Sequence, residues 1–114
     1  MHAYKERDIC YTVEELREKI VPIAIEYGLA AVWLFGSYAR GDATKDSDVD
    51  ILIDRTGSCV SSLFELGAVY NDLYETVGEI DMVTTRTLFQ DEDELSMEFG
   101  KNILKERILI YEKQ

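Results

Sequence analysis

The stretch Leu34–Asp54 reads LFGSYARGDATKDSDVDILID and joins two apolar runs through a short polar loop. The first run ends at Gly36-Ser37, and the second opens with two aspartates, Asp48 and Asp50, separated by one residue. Side chains alternate between the faces of a strand, so we expect both carboxylates on one face and the apolar residues around them on the other. Adjacent carboxylates repel each other, and a bound cation usually offsets that cost. The stretch therefore predicts a metal site.

The pair Gly36-Ser37 predicts a phosphate contact next to that metal site. Glycine allows a ligand to approach the backbone closely, and Ser37 can cap a helical turn over residues 37–40 whose free N–H groups favour phosphate. Each half of the pattern also has an ordinary interpretation. A Gly-Ser pair alone is usually a turn, and exposed strands carry Asp-x-Asp pairs without metal. The two halves at this spacing favour the functional interpretation.

The string Gly36-Ser37-Tyr38-Ala39-Arg40-Gly41, followed by Ser47-Asp48-Val49-Asp50, resembles the minimal nucleotidyltransferases of the DNA polymerase beta-like superfamily. The resemblance covers nearly the whole chain. It implies that the Gly-Ser pair, with Arg40 and Ser47 beside it, holds nucleotide phosphates and that the two aspartates bind divalent metal. For Arg40, a salt bridge to an aspartate that stiffens the loop remains an open alternative.

A third acid is expected on a later strand, because the superfamily places one beside the paired aspartates. Asp81 stands in the apolar run Ile80-Asp81-Met82-Val83 and is the candidate. Glu79 shares its strand face and is the rival assignment.

Length and charge limit the classes of protein that remain. The 114 residues fit one domain, 1–114, and the net charge of −11 disfavours direct binding of nucleic acid. No apolar run reaches the roughly 18 residues of a membrane span and no signal peptide is evident, so we expect a cytoplasmic protein. Cys10 and Cys59 have no companion ligands, which argues against a zinc site or a disulfide.

Hydrophobic periodicity predicts an α/β fold in which helices flank a mixed sheet. A capping box at Thr12 opens a helix that ends at Gly28, with a kink or break at Pro22. The expected strands are 30–35, 49–53 and 79–84, with the first two antiparallel and the third parallel to the second. Between the last two, a helix capped by Ser61 or Ser62 and ended by Gly78 is expected to bury an apolar stripe, which comprises Leu63, Leu66, Tyr70, Leu73 and Val77. One or two closing helices and residues 108–111, as a strand or an interface tail, complete the chain.

The family resemblance implies a metal-dependent transferase that uses ATP and two Mg²⁺ ions held by Asp48, Asp50 and Asp81. Minimal nucleotidyltransferases commonly act as antitoxins that transfer AMP to a tyrosine of a HEPN ribonuclease toxin. Two alternatives remain open. The protein could be a vestigial antitoxin that acts by occlusion, or it could be an enzyme whose acceptor is a small molecule. The docking candidates are the arm around Tyr4 and Ile9 and the tail 108–111. Whether the protein forms homo-oligomers or hetero-oligomers is left open.

Overall fold

The computed structural model describes residues 10–114, in which helices and strands alternate along the chain. The helices are α1 (Val13–Tyr27), α2 (Gly36–Arg40), α3 (Leu63–Val77) and α4 (Glu94–Glu106). The strands are β1 (Ala31–Phe35), β2 (Val49–Asp54), β3 (Ile80–Thr84) and β4 (Ile108–Glu112). This mixture confirms the predicted α/β class. Within the described part of the chain, no helix has the length and hydropathy that crossing a membrane requires.

The described strands form one mixed sheet in the order β3-β2-β1-β4. β1 pairs with β2 in the antiparallel sense, and β2 pairs with β3 in the parallel sense. Both orientations confirm the prediction from connection lengths, because parallel neighbours need a long crossover, which α3 provides here. β4 adds to the other edge of β1, antiparallel, with a register shift between Val32 and Trp33.

The sheet separates two apolar layers. The larger layer packs α1 and α3 on one face, and its strand residues include Val32, Leu34, Val49, Ile51 and Ile53. The smaller layer lies on the α4 side of the sheet and comprises Phe35, Leu52, Leu88 and Ile103. Alternation along β2 therefore directs Asp50 toward the α4 side, away from the main core, as the sequence predicted.

Helix α1 runs without a break through Pro22, so the expected break is wrong. The predicted capping box is present: the Thr12 hydroxyl accepts the Glu15 N–H at 3.0 Å, and the Glu15 carboxylate accepts the Thr12 N–H at 2.8 Å. Gly28 ends the helix as predicted. Proline removes the N–H that would bond to the Glu18 carbonyl. Because Pro22 and Glu18 are both exposed, water can satisfy that carbonyl and the helix tolerates the loss.

Helix α3 buries part of the predicted stripe, because Leu73 and Val77 are buried and Leu66 packs, partly buried, against the main layer. It begins at Ser62, one of the two expected caps, which forms a capping box with Glu65, but Leu63 is 85% exposed and Tyr70 is 41% exposed. The buried residues are Val69, Leu73 and Val77. Leu63 and Tyr70 lie outside the buried stripe and Val69 lies within it, because the three-to-four-residue spacing fits neighbouring positions equally and the packing against α1 and the sheet decides between them.

The C-terminal part of the described chain consists of α4 and β4. The Asp93 carboxylate caps α4 by accepting the Ser96 N–H at 3.2 Å. Residues 108–111 belong to the sheet, and Ile110 is buried, so this segment is a strand and not a free tail. The other expected docking segment, around Tyr4 and Ile9, lies outside the described residues.

The buried and the exposed members of the predicted α3 stripe can be told apart by matched truncations on the same helix. We expect Leu73→Ala to lower the free energy of unfolding by about 3 kcal/mol, because it leaves a cavity in the main layer. Leu63→Ala should change it by less than about 0.5 kcal/mol, because that side chain is mostly in water. Urea denaturation of both variants measures the difference, and equal losses would show that Leu63 is buried in solution.

Candidate active site

Gly36 lies directly against Asp50, where β1 ends and β2 begins. Phe35 and Asp50 are register partners in the antiparallel pair, which brings the two halves of the motif to one point. A Cβ atom built on Gly36 would lie 2.0 Å from Asp50 Oδ2. Gly36 also has a φ of 71°, in the left-handed region that other residues rarely adopt. Both constraints require glycine at this position.

Two of the three predicted acids, Asp48 and Asp81, lie beside the third, the half-buried Asp50. Asp50 pairs with Asp81 in the parallel register of β2 and β3, and Asp48 precedes β2 by one residue. Asp50 is half-buried, whereas Asp48 and Asp81 are exposed. Burial, followed by the negative charges of Asp81 and Asp48, raises the pKa of Asp50 to about 6. The site therefore carries negative charge that the protein does not fully compensate.

Glu79, the rival third acid, is engaged elsewhere. Its backbone carbonyl accepts the Val49 N–H at 3.0 Å. Its carboxylate interacts with Tyr74, and burial together with this neighbour raises the pKa of that tyrosine. The register favours Asp81 over Glu79, because Asp81 is the residue opposite Asp50.

Ser37 does not cap α2, contrary to the prediction. The helix already begins at Gly36, whose left-handed backbone turns the chain at the end of β1, and the N-cap residue is Phe35, without a side-chain cap bond. Ser37 therefore lies inside the first turn. The Ser47 hydroxyl accepts the Thr44 N–H at 2.9 Å and helps to close the polar loop before Asp48.

Arg40 forms ion pairs at the end of α2. Its guanidinium lies 3.6 Å from the Asp42 carboxylate and 3.2 Å from the Glu106 carboxylate. The hydrogen bond to Glu106 raises the pKa of Arg40 above its ordinary value. The salt bridge to an aspartate, which the sequence left as an alternative for Arg40, is thus present in the structure.

Glu106 is a site residue that the sequence reasoning missed. Its Oε2 accepts the Gly36 N–H at 2.7 Å, across 70 residues of sequence, while it also contacts Arg40. No local motif connects residues so far apart. The only signal in the sequence is an acid at the C-terminal end of a helix, where negative charge is unfavourable and calls for another explanation.

The acidic group fits a magnesium ion that arrives with a nucleotide. Its ligands are carboxylate oxygens, which suit hard cations, and the pKa of Asp50 is raised by burial and then by the charges of Asp81 and Asp48, both of which a bound cation would offset. Among residues 10–114, no group of three or more histidine, cysteine, aspartate or glutamate side chains could hold a metal ion as it stands. Magnesium commonly takes one or two carboxylates and completes its shell with substrate phosphates and water. The donor set suits that mode of binding.

The fold and the paired motif define this chain as a nucleotidyltransferase. A solved structure of a candidate minimal nucleotidyltransferase matches it with a TM-score of 0.65 and 27% identity, covering 86% of this chain and 95% of that chain. Residues 18–114 match the family model described as polymerase beta, nucleotidyltransferase, and the chain belongs to that family.

Two relatives with similar sequences come from Methanocaldococcus jannaschii and Thermococcus cleftensis. A Methanocaldococcus jannaschii protein, named as a candidate protein adenylyltransferase, is 34% identical over 77 residues, which is 67% of this chain and 81% of the relative. The protein adenylyltransferase MntA of Thermococcus cleftensis is 49% identical over 41 residues, 36% of this chain and 34% of that protein. A solved toxin–antitoxin structure with AMP-PNP shares the fold, with a TM-score of 0.63, 18% identity and coverage of 86% and 74% of the two chains.

Two effects make a side chain at Gly36 unfavourable: the contact with Asp50 and the left-handed backbone conformation. A control at a second glycine separates them. Gly36→Ala should lower the free energy of unfolding by about 2 kcal/mol more than Gly57→Ala, because only the first substitution pushes against Asp50. Gly57 is a matched control, since its φ is 73° and an added Cβ would meet nothing within 4 Å. Thermal and urea denaturation of both variants measure the difference. Equal losses would mean that Asp50 moves aside freely.

Asp50→Asn should stabilise the metal-free protein at neutral pH. The folded protein raises the pKa of Asp50 from 3.8 to about 6, so ionisation of this group weakens the fold as the pH rises through that interval. The variant escapes that loss. We expect a gain on the order of 1 kcal/mol at pH 7.5, after allowance for solvent screening, and a smaller gain at pH 5.

Melting curves in EDTA at the two pH values measure this gain. Asp46→Asn, which makes the same change of charge on the exposed loop, is the control. A gain of the same size in the Asp46 variant would assign the effect to the net charge of the protein.

Proposed function

We propose that this chain is a metal-dependent nucleotidyltransferase that transfers AMP from ATP to a hydroxyl group of a partner protein. The observation that carries the proposal is the contact between Gly36 and Asp50, because it joins the phosphate half and the metal half of the motif in one site. In this proposal residues 1–114 form a single cytoplasmic domain with access to ATP.

Asp48, Asp50 and Asp81 would hold magnesium, with two ions as the expected number. Bound magnesium supplies positive charge that offsets the negative charge on the entering and leaving oxygens. The Gly36 N–H, the Ser37 hydroxyl and the Arg40 guanidinium are the donors for the phosphates of ATP. Ser47 supports them indirectly, because it holds the loop that leads into Asp48.

The reaction follows from these roles. The oxygen of the acceptor hydroxyl attacks the α-phosphorus, the bond from that phosphorus to the bridging oxygen of the β-phosphate breaks, and pyrophosphate leaves. The exposed carboxylate of Asp81 lies beside Asp50 and can take the proton of the attacking hydroxyl. The products are an AMP ester of the acceptor, pyrophosphate and the proton that Asp81 has taken from the hydroxyl.

A tyrosine of a HEPN ribonuclease toxin is the acceptor we propose. Relatives named as protein adenylyltransferases support a protein acceptor. The similarity of this fold to a solved toxin–antitoxin structure agrees with a toxin partner. The surface of α3 supports one as well, because Leu63 and Phe64 are 85% and 87% exposed. No lysine or arginine occurs between Arg55 and Arg86, and the net charge is −11, so this surface suits a basic partner.

The proposal is tested by incubating the protein with ATP, magnesium and a co-purified HEPN toxin, followed by intact-mass spectrometry of the toxin. We expect a mass increase of one or more AMP groups on a tyrosine, which requires magnesium. Asp48→Asn should reduce the rate at least about 100-fold, because the metal loses a ligand. Asp46→Asn, on the same loop, is the control and should leave the rate unchanged. If the toxin carries no AMP and the Asp48 variant still neutralises it, the protein acts by occlusion.

A further inference from the structure

Glu106 occupies the donors that the proposed function assigns to the phosphates of ATP. Its Oε2 accepts the Gly36 N–H at 2.7 Å, and its two oxygens lie 3.2 and 3.3 Å from the Arg40 guanidinium. A carboxylate and a phosphate oxygen seek the same partners, because both are anionic hydrogen-bond acceptors. An anion of the protein thus stands where an anion of the substrate is expected.

The stability of α4 does not explain this contact. Glu106 is the last residue of the helix, where the helix dipole disfavours a negative charge. The same carboxylate faces Asp50 and contributes to the rise in the pKa of that group, so it also adds to the repulsion within the site. Glu106 remains there because the Gly36 N–H and Arg40 compensate both costs. Its side chain is 23% exposed, which leaves a route into water.

We propose that Glu106 is an internal competitor for the nucleotide, which holds the phosphate donors until ATP displaces it. This inference rests on the proposed function, since it takes Gly36 and Arg40 as phosphate contacts. Two anions cannot share one N–H and one guanidinium without strong repulsion, so the triphosphate binds only when Glu106 turns toward solvent. The affinity of the protein for ATP is lower by the cost of that displacement.

Two other roles of Glu106 give different results on substitution. A structural clamp would join α4 to α2, and its removal would weaken nucleotide binding by loosening the site. Simple charge repulsion would oppose the phosphates without any shared contact, and it would persist in any variant that keeps a carboxylate. Competition requires the reach of the glutamate, because the carboxylate must touch the Gly36 N–H.

The experiment is a calorimetric titration of the full chain with AMP-PNP and magnesium, using wild type, Glu106→Gln, Glu106→Asp and Glu98→Gln. We expect Glu106→Gln to bind about tenfold more tightly, equivalent to about 1.4 kcal/mol. Glu106→Asp keeps the charge but is one methylene shorter, and it should also bind more tightly. Glu98→Gln is the matched control on an exposed turn of α4 and should bind as wild type does.

Each outcome decides between these roles. Weaker binding by Glu106→Gln, with a normal melting temperature, overturns the proposal in favour of a clamp, and unchanged binding overturns it in favour of neither alternative. Wild-type affinity in Glu106→Asp overturns it in favour of charge repulsion. If the wild type binds AMP-PNP but neither Glu106 variant binds more tightly, only this inference fails. If none of the four proteins binds AMP-PNP, the proposed nucleotide site fails and this inference fails with it.

Discussion

The close approach of Gly36 to Asp50 is the constraint on which the candidate site depends. It exists because β1 and β2 are antiparallel and in a register that sets Phe35 opposite Asp50. The main core fixes that register, since a slip of one residue would turn Val49 and Ile51 out of their layer and bring Asp50 into it. The energy that packs the core is thus the same energy that aligns the two halves of the motif.

The site brings together carboxylates that repel each other, and the packing of the rest of the fold holds them in place. Asp50 is partly withdrawn from water beside Asp48 and Asp81, and Glu106 adds a fourth acid nearby. Within the described residues, the positive charge of Arg40 acts in the opposite direction and lowers the pKa of Asp50. Such an arrangement is costly for a protein without its ligands and favourable for one that binds a cation and a polyanion together.

Much of the fold could be predicted from the sequence, because local signals and global packing agree. The capping box at Thr12, a cap at Ser61 or Ser62, the strand orientations and the side of the sheet that Asp50 faces all follow from spacing and connection length. The prediction failed where neighbouring helical positions fit one local pattern equally well, as at Leu63 and Tyr70 of α3, which are exposed. It also failed where the decisive partner is distant in the chain, and Glu106 is the main example.

The place of β4 in the sheet has a consequence for synthesis. β1 lies between β2 and β4, although β4 follows both by a long stretch of chain. While the ribosome is still making that stretch, one edge of β1 has no partner, and bare strand edges pair readily with other chains. A chain that stops before β4 would thus tend to aggregate. Interrupted translation would yield an aggregation-prone fragment, and not a smaller functional enzyme.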